Sequence, residues 1–182
     1  HAQDVRNSWD GMNLDQVYAQ NGYVVWQMDN RGTQGRGHEF ETPVFHKLGE
    51  IEMADQRAGI EYLLSLGFVD RNRIGVRGWS YGGFMTAELL LRASDMFRAG
   101  FAGAPVTNWR NYDTIYTERY MGTPDQNPEG YRSTALAQYA AQLRGRLMIV
   151  QNIEDDNVLL QNTVQLVDAL QIAGKQFDLM LY

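Results

Sequence analysis

The stretch that decides the fold of this 182-residue chain is Gly78-Trp79-Ser80-Tyr81-Gly82, followed by Gly83. Residues 74–76 before it predict a short strand, and residues 84–93 after it are rich in helix formers. A glycine-x-serine-x-glycine string between a strand and a helix is typical of a sharp turn that lifts a serine hydroxyl above the sheet. The glycines fit this turn, because strand and helix approach closely only where Cβ atoms are missing.

Ser80 is therefore a candidate nucleophile. The backbone N–H of Tyr81, close to the helix N-terminus, is a candidate donor to the oxyanion that develops when the serine attacks a carbonyl. The alternative is a glycine-rich turn with an incidental serine, since short glycine patterns are common. The strand and the helix predicted on either side favour the nucleophile, because the motif requires that context.

Helical and strand patterns alternate along the rest of the chain. Strands separated by helices pair in parallel through crossover connections, so we expect an α/β fold with a mostly parallel sheet and helices on both faces. Segment 108–139, rich in Tyr, Asn and Thr, is either a long functional insertion or irregular packing. The predicted strands are 23–26, 74–76, 99–102, 147–150 and 177–181, and the predicted helices are 14–20, 50–66, 84–93 and 158–172.

The composition restricts the class of function. The chain has the length of one domain, and 44% hydrophobic with 21% charged residues is typical of a soluble globular protein. A net charge of −6 argues against nucleic acid or an anionic membrane as the main partner. The absence of cysteine excludes disulfides, zinc–thiolate sites and thiol nucleophiles. No apolar run could span a bilayer and no signal peptide is visible, which leaves the compartment open between cytoplasmic and periplasmic or otherwise extracytoplasmic.

A nucleophilic serine needs a base, and the base needs an orienting carboxylate. In α/β-hydrolases the order along the chain is serine, acid, histidine, and the acid follows a later strand. The predicted strand 147–150 leads directly into Glu154-Asp155-Asp156-Asn157, so one of these acids is the candidate. The alternative is helix capping, which favours Asp and Asn in any protein. The two roles can share the cluster, with one aspartate catalytic and the next residues capping.

The base is missing from its expected place. The chain has three histidines, His1, His38 and His46, and all of them precede Ser80. For His38 and His46 we expect surface or hydrogen-bonding roles. No histidine–carboxylate cluster has metal-ligand spacing, and the serine mechanism needs neither metal nor cofactor. We therefore expect the chain to hold a nucleophile and an acid but not the base.

At these residues the chain resembles the catalytic domain of the prolyl oligopeptidase family, and within it the dipeptidyl peptidase IV branch. The two strings that begin at Gly78 and Tyr116 are far more specific together than the elbow motif alone. The strings that carry the resemblance are His1-Ala2-Gln3, Asp29-Asn30-Arg31-Gly32, Gly78-Trp79-Ser80-Tyr81-Gly82-Gly83, Ala104-Pro105-Val106 with Trp109, Tyr116-Thr117-Glu118-Arg119-Tyr120-Met121-Gly122, and Asp155-Asp156-Asn157-Val158.

The resemblance implies a role for each matching residue. Ser80 matches the nucleophile, Asp155 the triad acid and the Tyr81 N–H one oxyanion donor. Asn157 matches a polar group near the substrate carbonyl, and Arg119 lies close by in the family arrangement. A flat, rigid, apolar slot suits a pyrrolidine ring; without the resemblance, core packing would be the better interpretation of these aromatics. The matching slot residues are Tyr81, Val106, Trp109, Tyr112, Tyr116 and Val158.

The chain also departs from the family pattern. Gln151-Asn152-Ile153-Glu154 stands where the family commonly has His-Gly, a histidine that is not the catalytic base. The resemblance places the catalytic histidine beyond the last predicted strand, a tyrosine oxyanion donor before His1, and paired glutamates that bind the substrate amine in a propeller domain. We therefore expect residues 1–182 to be a partial α/β-hydrolase domain, truncated at both ends.

The resulting hypothesis is a fragment of a serine dipeptidyl peptidase that cleaves X-Pro or X-Ala dipeptides from peptide N-termini through an acyl-enzyme. The isolated chain should be nearly inactive, because loss of the base removes catalysis by roughly 10⁴–10⁶-fold. The alternatives are an acyl-peptide hydrolase or esterase of the same fold, and a non-catalytic binding module. The resemblance further implies a peptide partner and, as in many family members, a homodimer.

Overall fold

A computed structural model describes residues 5, 8, 9 and 13–182. Within this part of the chain, four parallel strands form one sheet in the order β1-β2-β3-β4. They are β1 (Gly75–Trp79), β2 (Ala99–Gly103), β3 (Arg146–Gln151) and β4 (Asp178–Leu181). The predicted strands 74–76, 99–102, 147–150 and 177–181 are thereby confirmed, with shifted ends. The His1-Ala2-Gln3 string lies outside the described residues.

The helices connect the strands as expected for crossover connections. The four predicted helices are confirmed as α1 (Leu14–Gln20), α3 (Glu50–Ser65), α4 (Tyr81–Arg92) and α7 (Leu160–Ile172). Short helices that the pattern did not indicate are α2 (His38–Glu41), α5 (Thr114–Met121) and α6 (Pro128–Ser133), with 3₁₀ turns at Thr42–Val44, Arg71–Arg73, Trp109–Asn111 and Leu136–Gln142. None of the helices among the described residues is long and apolar enough to cross a membrane.

Segment 108–139 is not irregular packing, because it contains α5, α6 and two 3₁₀ turns. The polar residues that suggested an insertion are helix caps: the Asp113 side chain accepts a hydrogen bond from Tyr116 N at 2.8 Å and starts α5. Asn127 accepts one from Gly130 N at 3.0 Å and starts α6. Asn and Asp favour such positions because their oxygens satisfy the first N–H groups of a helix.

The strand predicted at 23–26 is wrong. These residues belong to no strand of the described sheet, and Tyr23 is 63% exposed. A strand needs a neighbour that accepts and donates its backbone hydrogen bonds, and no other described segment pairs with this run. The Tyr23 N–H instead donates to the Tyr18 carbonyl at the end of α1, 3.1 Å away.

Helices lie on both faces of the sheet. Helix α4 packs against β1 and β2 so closely that a Cβ on Gly100 would overlap the Leu90 side chain. Helix α7 lies on the same face, where Thr163 donates a hydrogen bond to Gln151 at 3.1 Å. Helix α1 lies on the opposite face, which carries Arg77: its guanidinium pairs with Asp15 and stacks over the Tyr18 ring, 5.4 Å from the centroid. The rest of that opposite face is partly exposed: Trp79 on it is 58% exposed, whereas Val150 is 4% exposed.

Candidate active site

The turn at Ser80 has the geometry of a nucleophile elbow. Ser80 has φ +57° and ψ −112°, in the left-handed region that costs a residue with a side chain of order 1–3 kcal/mol. Its N–H donates to the Gly103 carbonyl at 2.8 Å, and its own carbonyl accepts from Phe84 N at 3.0 Å. The chain thus leaves β1, turns at one strained residue and enters α4, which confirms the predicted strand–turn–helix context.

The glycines of the motif do not all serve the same purpose. A Cβ on Gly78 would overlap the Gly82 carbonyl, and a Cβ on Gly83 would overlap the Gly103 carbonyl. A Cβ on Gly82 would meet nothing within 4 Å. Close approach of strand and helix therefore explains Gly78 and Gly83, whereas for Gly82 it does not.

Tyr81 opens α4, and N–H groups in the first turn of a helix point outward from its N-terminus. Its ring lies between two aromatic neighbours, with centroids 5.6 Å from Phe84 and 5.6 Å from Trp109. Its hydroxyl donates to Glu52 of α3. Burial, and then the Glu52 carboxyl, raise the pKa of Tyr81 well above its ordinary value, so the phenol stays protonated as a donor.

Three of the predicted slot residues form one aromatic cluster with Tyr81. Trp109 stacks on Tyr116 with centroids 5.9 Å apart and planes at 17°. Tyr112 meets the edges of both, at 5.9 Å from Trp109 and 5.4 Å from Tyr116. We call Tyr81, Trp109, Tyr112 and Tyr116 the aromatic cluster. Trp109 is almost fully buried, so the cluster is core packing on one side, and only the half-buried tyrosines offer surface to a ligand.

The loop after β3 joins this cluster. The Tyr112 hydroxyl donates to Asn157 Oδ1 at 3.1 Å, a contact between residues 45 positions apart. Val158 and Val106 are both buried in the hydrophobic core that also contains Trp109. The structure thereby brings the predicted slot residues and the loop of the predicted acid into one neighbourhood.

Asp155 uses one carboxylate oxygen to close this loop. Its Oδ1 accepts from Asn157 N at 3.0 Å and from Val158 N at 2.9 Å. The residue that precedes α7 as its N-cap is Leu159, which provides no side-chain cap. The residues after Asp155 therefore do not cap the helix, and Asp155 itself closes the turn ahead of it.

Gln151, which the sequence marked only as a departure from the family pattern, holds the same loop. It is fully buried, and its Nε2 donates to the Val158 carbonyl at 2.9 Å and the Asn152 carbonyl at 3.2 Å, with Asp155 Oδ2 at 3.4 Å. Its Oε1 accepts from Thr163 at 3.1 Å. These partners fix the orientation of the amide, since a carbonyl can only accept.

Two buried acids near Tyr81 were missed by sequence reasoning. Glu52 is 1% exposed and Glu88 is 0% exposed. Burial raises the pKa of Glu52, and burial raises that of Glu88 to about 8 although Arg92 acts in the opposite direction. One Glu88 oxygen accepts from Arg92 at 2.6 Å, and Oε2 has no hydrogen-bond partner among the described residues. The available signal for Glu88 was a charged residue directly before the apolar run Leu89-Leu90-Leu91.

The histidines do not complete a triad within the described residues, where no hydrogen bond joins a histidine to the Ser80 hydroxyl. His46 N donates instead to the Tyr120 carbonyl at 2.7 Å, and His38 is exposed in α2. The described residues also contain no group of acids and histidines that could hold a metal ion.

One cavity is lined by residues of the aromatic cluster, and a second is lined by Tyr120, whose ring lies 4.9 Å from that of Tyr116. The smaller, about 50 Å³, is lined by Trp109 and Tyr112 among others. The larger, about 480 Å³, is lined by Arg119 and Tyr120 together with Phe45 and residues of α2. The structure thus places Arg119 one helical turn beyond Tyr116, in the lining of a separate cavity, and Ser80 lines neither of the two.

The sequence of residues 10–182 matches the prolyl oligopeptidase family. This chain belongs to that family. Its relatives include dipeptidyl peptidase 8 of Mus musculus, 46% identical over 165 residues, which are 88% of this chain and 18% of the relative. Dipeptidyl-aminopeptidase B of Aspergillus niger is 44% identical over 164 residues, again 88% of this chain and 18% of the relative.

Solved structures agree with the family assignment. The crystal structure of Porphyromonas gingivalis dipeptidyl peptidase 4 superimposes with a TM-score of 0.90 and 44% identity, over 96% of this chain and 24% of that one. The crystal structure of a putative dipeptidyl aminopeptidase IV from Bacteroides ovatus superimposes with a TM-score of 0.95 and 43% identity, over all of this chain and 26% of that one. The fold is therefore that of the α/β-hydrolase domain of these enzymes, and the chain spans about a fifth to a quarter of their length.

Proposed function

We propose that this chain is the nucleophile- and acid-bearing part of a serine dipeptidyl peptidase that releases X-Pro or X-Ala dipeptides from peptide N-termini. The observation that carries the proposal is the Ser80 elbow, a strained φ of +57° at the carboxyl end of β1. Strained backbone persists only where the surrounding structure enforces it, and such residues cluster at active sites. The relatives are named as dipeptidyl peptidases, which supports the same class of reaction.

In this mechanism the Ser80 Oγ attacks the carbonyl carbon of the second substrate residue. A histidine takes the serine proton and passes it to the departing amine, and water then hydrolyses the acyl-enzyme. Asp155 orients that histidine through Oδ2, whose contact with Gln151 Nε2 is long at 3.4 Å, whereas Oδ1 accepts from two backbone N–H groups at 2.9 and 3.0 Å. The Tyr81 N–H stabilises the oxyanion in the transition state. The histidine itself is contributed by the parent protein outside residues 13–182.

The aromatic cluster accounts for the preference at the second residue. Rings of Tyr112 and Tyr116 meet edge to face at 5.4 Å, held from behind by the buried Trp109. Such a wall is rigid and apolar, which favours a proline ring over a long or charged side chain. Asn157, oriented by the Tyr112 hydroxyl at 3.1 Å, provides the polar group for the substrate carbonyl.

Exposed apolar residues on one face of the sheet support the proposal that residues 1–182 are part of a larger catalytic domain. Trp79, Phe101 and Met180 share that face and are 58%, 36% and 42% exposed. Parallel sheets are normally covered on both faces. Further chain of the parent protein would cover this face, and we propose that the 182 residues alone are nearly inactive.

The test uses the full-length parent protein with Gly-Pro and Ala-Pro chromogenic amides. We expect release of the dipeptide, and we expect Ser80→Ala to abolish turnover while leaving the folded protein intact by circular dichroism. Faster hydrolysis of p-nitrophenyl esters or acylated peptides than of X-Pro substrates would favour an acyl-peptide hydrolase or esterase instead. Absence of hydrolysis with retained peptide binding would favour a binding module.

A further inference from the structure

We infer that Glu52 is a positioning residue for Tyr81, and through it for the oxyanion donor and one wall of the slot. The inference rests on the proposed function. Glu52 lies in the first turn of α3 and Tyr81 is the first residue of α4, so the contact ties the nucleophile elbow to a helix that is separate in the chain.

Both oxygens of the Glu52 carboxyl are engaged. Oε1 accepts from the Tyr81 hydroxyl, and Oε2 accepts from Gly49 N at 2.9 Å. Because the side chain is almost completely buried, little water competes for these oxygens. Glu52 therefore holds the phenol tip while Phe84 and Trp109 hold the ring, and Tyr81 is constrained along its whole side chain.

This constraint matters because the Tyr81 backbone acts on the transition state. An oxyanion donor stabilises charge only when it is preorganised near hydrogen-bond distance. A displacement of about 1 Å in an active site can cost roughly 100-fold in rate. A side chain fixed at its far end restricts such movement of the residue that carries the N–H.

Capping of α3 engages only one Glu52 oxygen, Oε2, and leaves Oε1 for the Tyr81 hydroxyl. Burial of a carboxyl is costly unless its oxygens are hydrogen-bonded. Glu88 is buried beside Glu52, and a Cβ on Gly49 would overlap the Glu88 carboxyl. Because Gly49, with φ +89°, has no side chain, the Glu88 carboxyl fits next to it. Of these two acids only Glu52 bonds the Tyr81 hydroxyl, whereas Glu88 bonds Arg92, so the requirement at Tyr81 falls on Glu52.

The test compares four variants of the parent protein with an X-Pro amide: Glu52→Ala, Glu52→Gln, Tyr81→Phe and the Glu52→Ala/Tyr81→Phe double variant. Rates are expressed per active site, titrated with a serine-directed phosphonate. We expect Glu52→Ala and Tyr81→Phe each to lower kcat by about 10-fold or more, with a smaller change in KM. The double variant should be no worse than Glu52→Ala, because both remove one contact. Glu52→Gln should retain most of kcat, since its amide can accept from Gly49 and donate to the tyrosine hydroxyl.

Glu88→Gln is the matched control, a neighbouring buried acid whose partner is Arg92, and it should keep kcat. The inference would be overturned if Tyr81→Phe kept the kcat per titrated site of the unmodified protein. It would also be overturned if Glu52→Ala had fewer titratable sites but an unchanged kcat at each of them, and Glu52 would then be only a helix cap. Failure of the unmodified protein to cleave X-Pro substrates would instead contradict the proposed function. In that event the rate constant for phosphonate labelling of Ser80 in the same variants decides whether Glu52 positions the elbow.

Discussion

The Gln151 side chain donates a hydrogen bond to the Val158 carbonyl at 2.9 Å and so closes the loop that carries Asp155 and Asn157. Val158, the neighbouring Asp155 carboxylate and Thr163 of α7 surround this amide, which has no contact with solvent. Gln151, which departs from the family's usual His-Gly, thus has hydrogen-bond partners for both its amide nitrogen and its amide oxygen. A neutral amide of this kind keeps its hydrogen bonds at every pH at which the fold survives.

Gln151→Leu is expected to destabilise the parent protein. The substitution leaves the Val158 carbonyl and the Thr163 hydroxyl buried without that partner, at about 1–3 kcal/mol for an unsatisfied group. Thermal unfolding should show a lower Tm, with a fall in kcat as the loop of Asp155 loosens. The same exchange at the exposed Gln161 of α7 is the control and should leave both unchanged. Equal effects at the two positions would refute a special role for Gln151.

Gly83→Ala should lower the Tm of the parent protein, whereas Gly82→Ala should change it little. The new methyl group on residue 83 meets the Gly103 carbonyl, and backbone cannot move aside as a flexible side chain can. Such overpacking costs about 1–3 kcal/mol or more. The methyl group on residue 82 meets nothing within 4 Å, so its effect on Tm should be small. Equal losses of Tm in the two variants would contradict the steric account of the motif.

Glu88→Gln should alter how stability depends on pH. The pKa of Glu88 is raised from 4.5 to about 8 by burial, so the folded state holds this proton at a pH where the unfolded state has lost it. A folded state that binds more protons loses stability as pH rises, here from about 4.5 to about 8, and no further above. The glutamine stays neutral throughout. The Tm of the variant relative to the unmodified protein should therefore increase across this range and then level off; a constant difference would contradict the assignment.

Tyr112→Phe should weaken substrate turnover without disrupting the fold. The change removes the hydrogen bond that orients Asn157 and keeps the ring in the aromatic cluster. We expect kcat/KM for X-Pro amides to fall about 2- to 10-fold, the equivalent of one neutral hydrogen bond. Tyr139→Phe is the matched control, because that hydroxyl also makes one bond, to the Ser133 carbonyl at 2.9 Å, but away from the site. A similar fall in both variants would indicate a general loss of stability.

Local patterns in the sequence were sufficient for most of the fold. The run before Ser80, the strand 147–150 and the helix periodicities predicted their elements because propensity and burial agree there. The prediction failed at 23–26, where the apolar residues are present but no described segment supplies a pairing partner. The helices of segment 108–139 were not predicted because Asp113 and Asn127 are caps, whose role depends on short helices with little periodicity of their own.

By itself, then, the sequence determined that the chain is an α/β protein with a serine elbow, and it identified the residues of the slot and of the acid loop. Only the tertiary structure decided that Gly82 is not sterically required, that Asp155 closes its own turn, and that Glu52, Glu88 and Gln151 surround the site. The reason is physical: a motif encodes conformation over a few neighbouring residues, whereas burial and hydrogen bonding of Glu52 with Tyr81, or of Gln151 with Thr163, arise only when separate elements pack together.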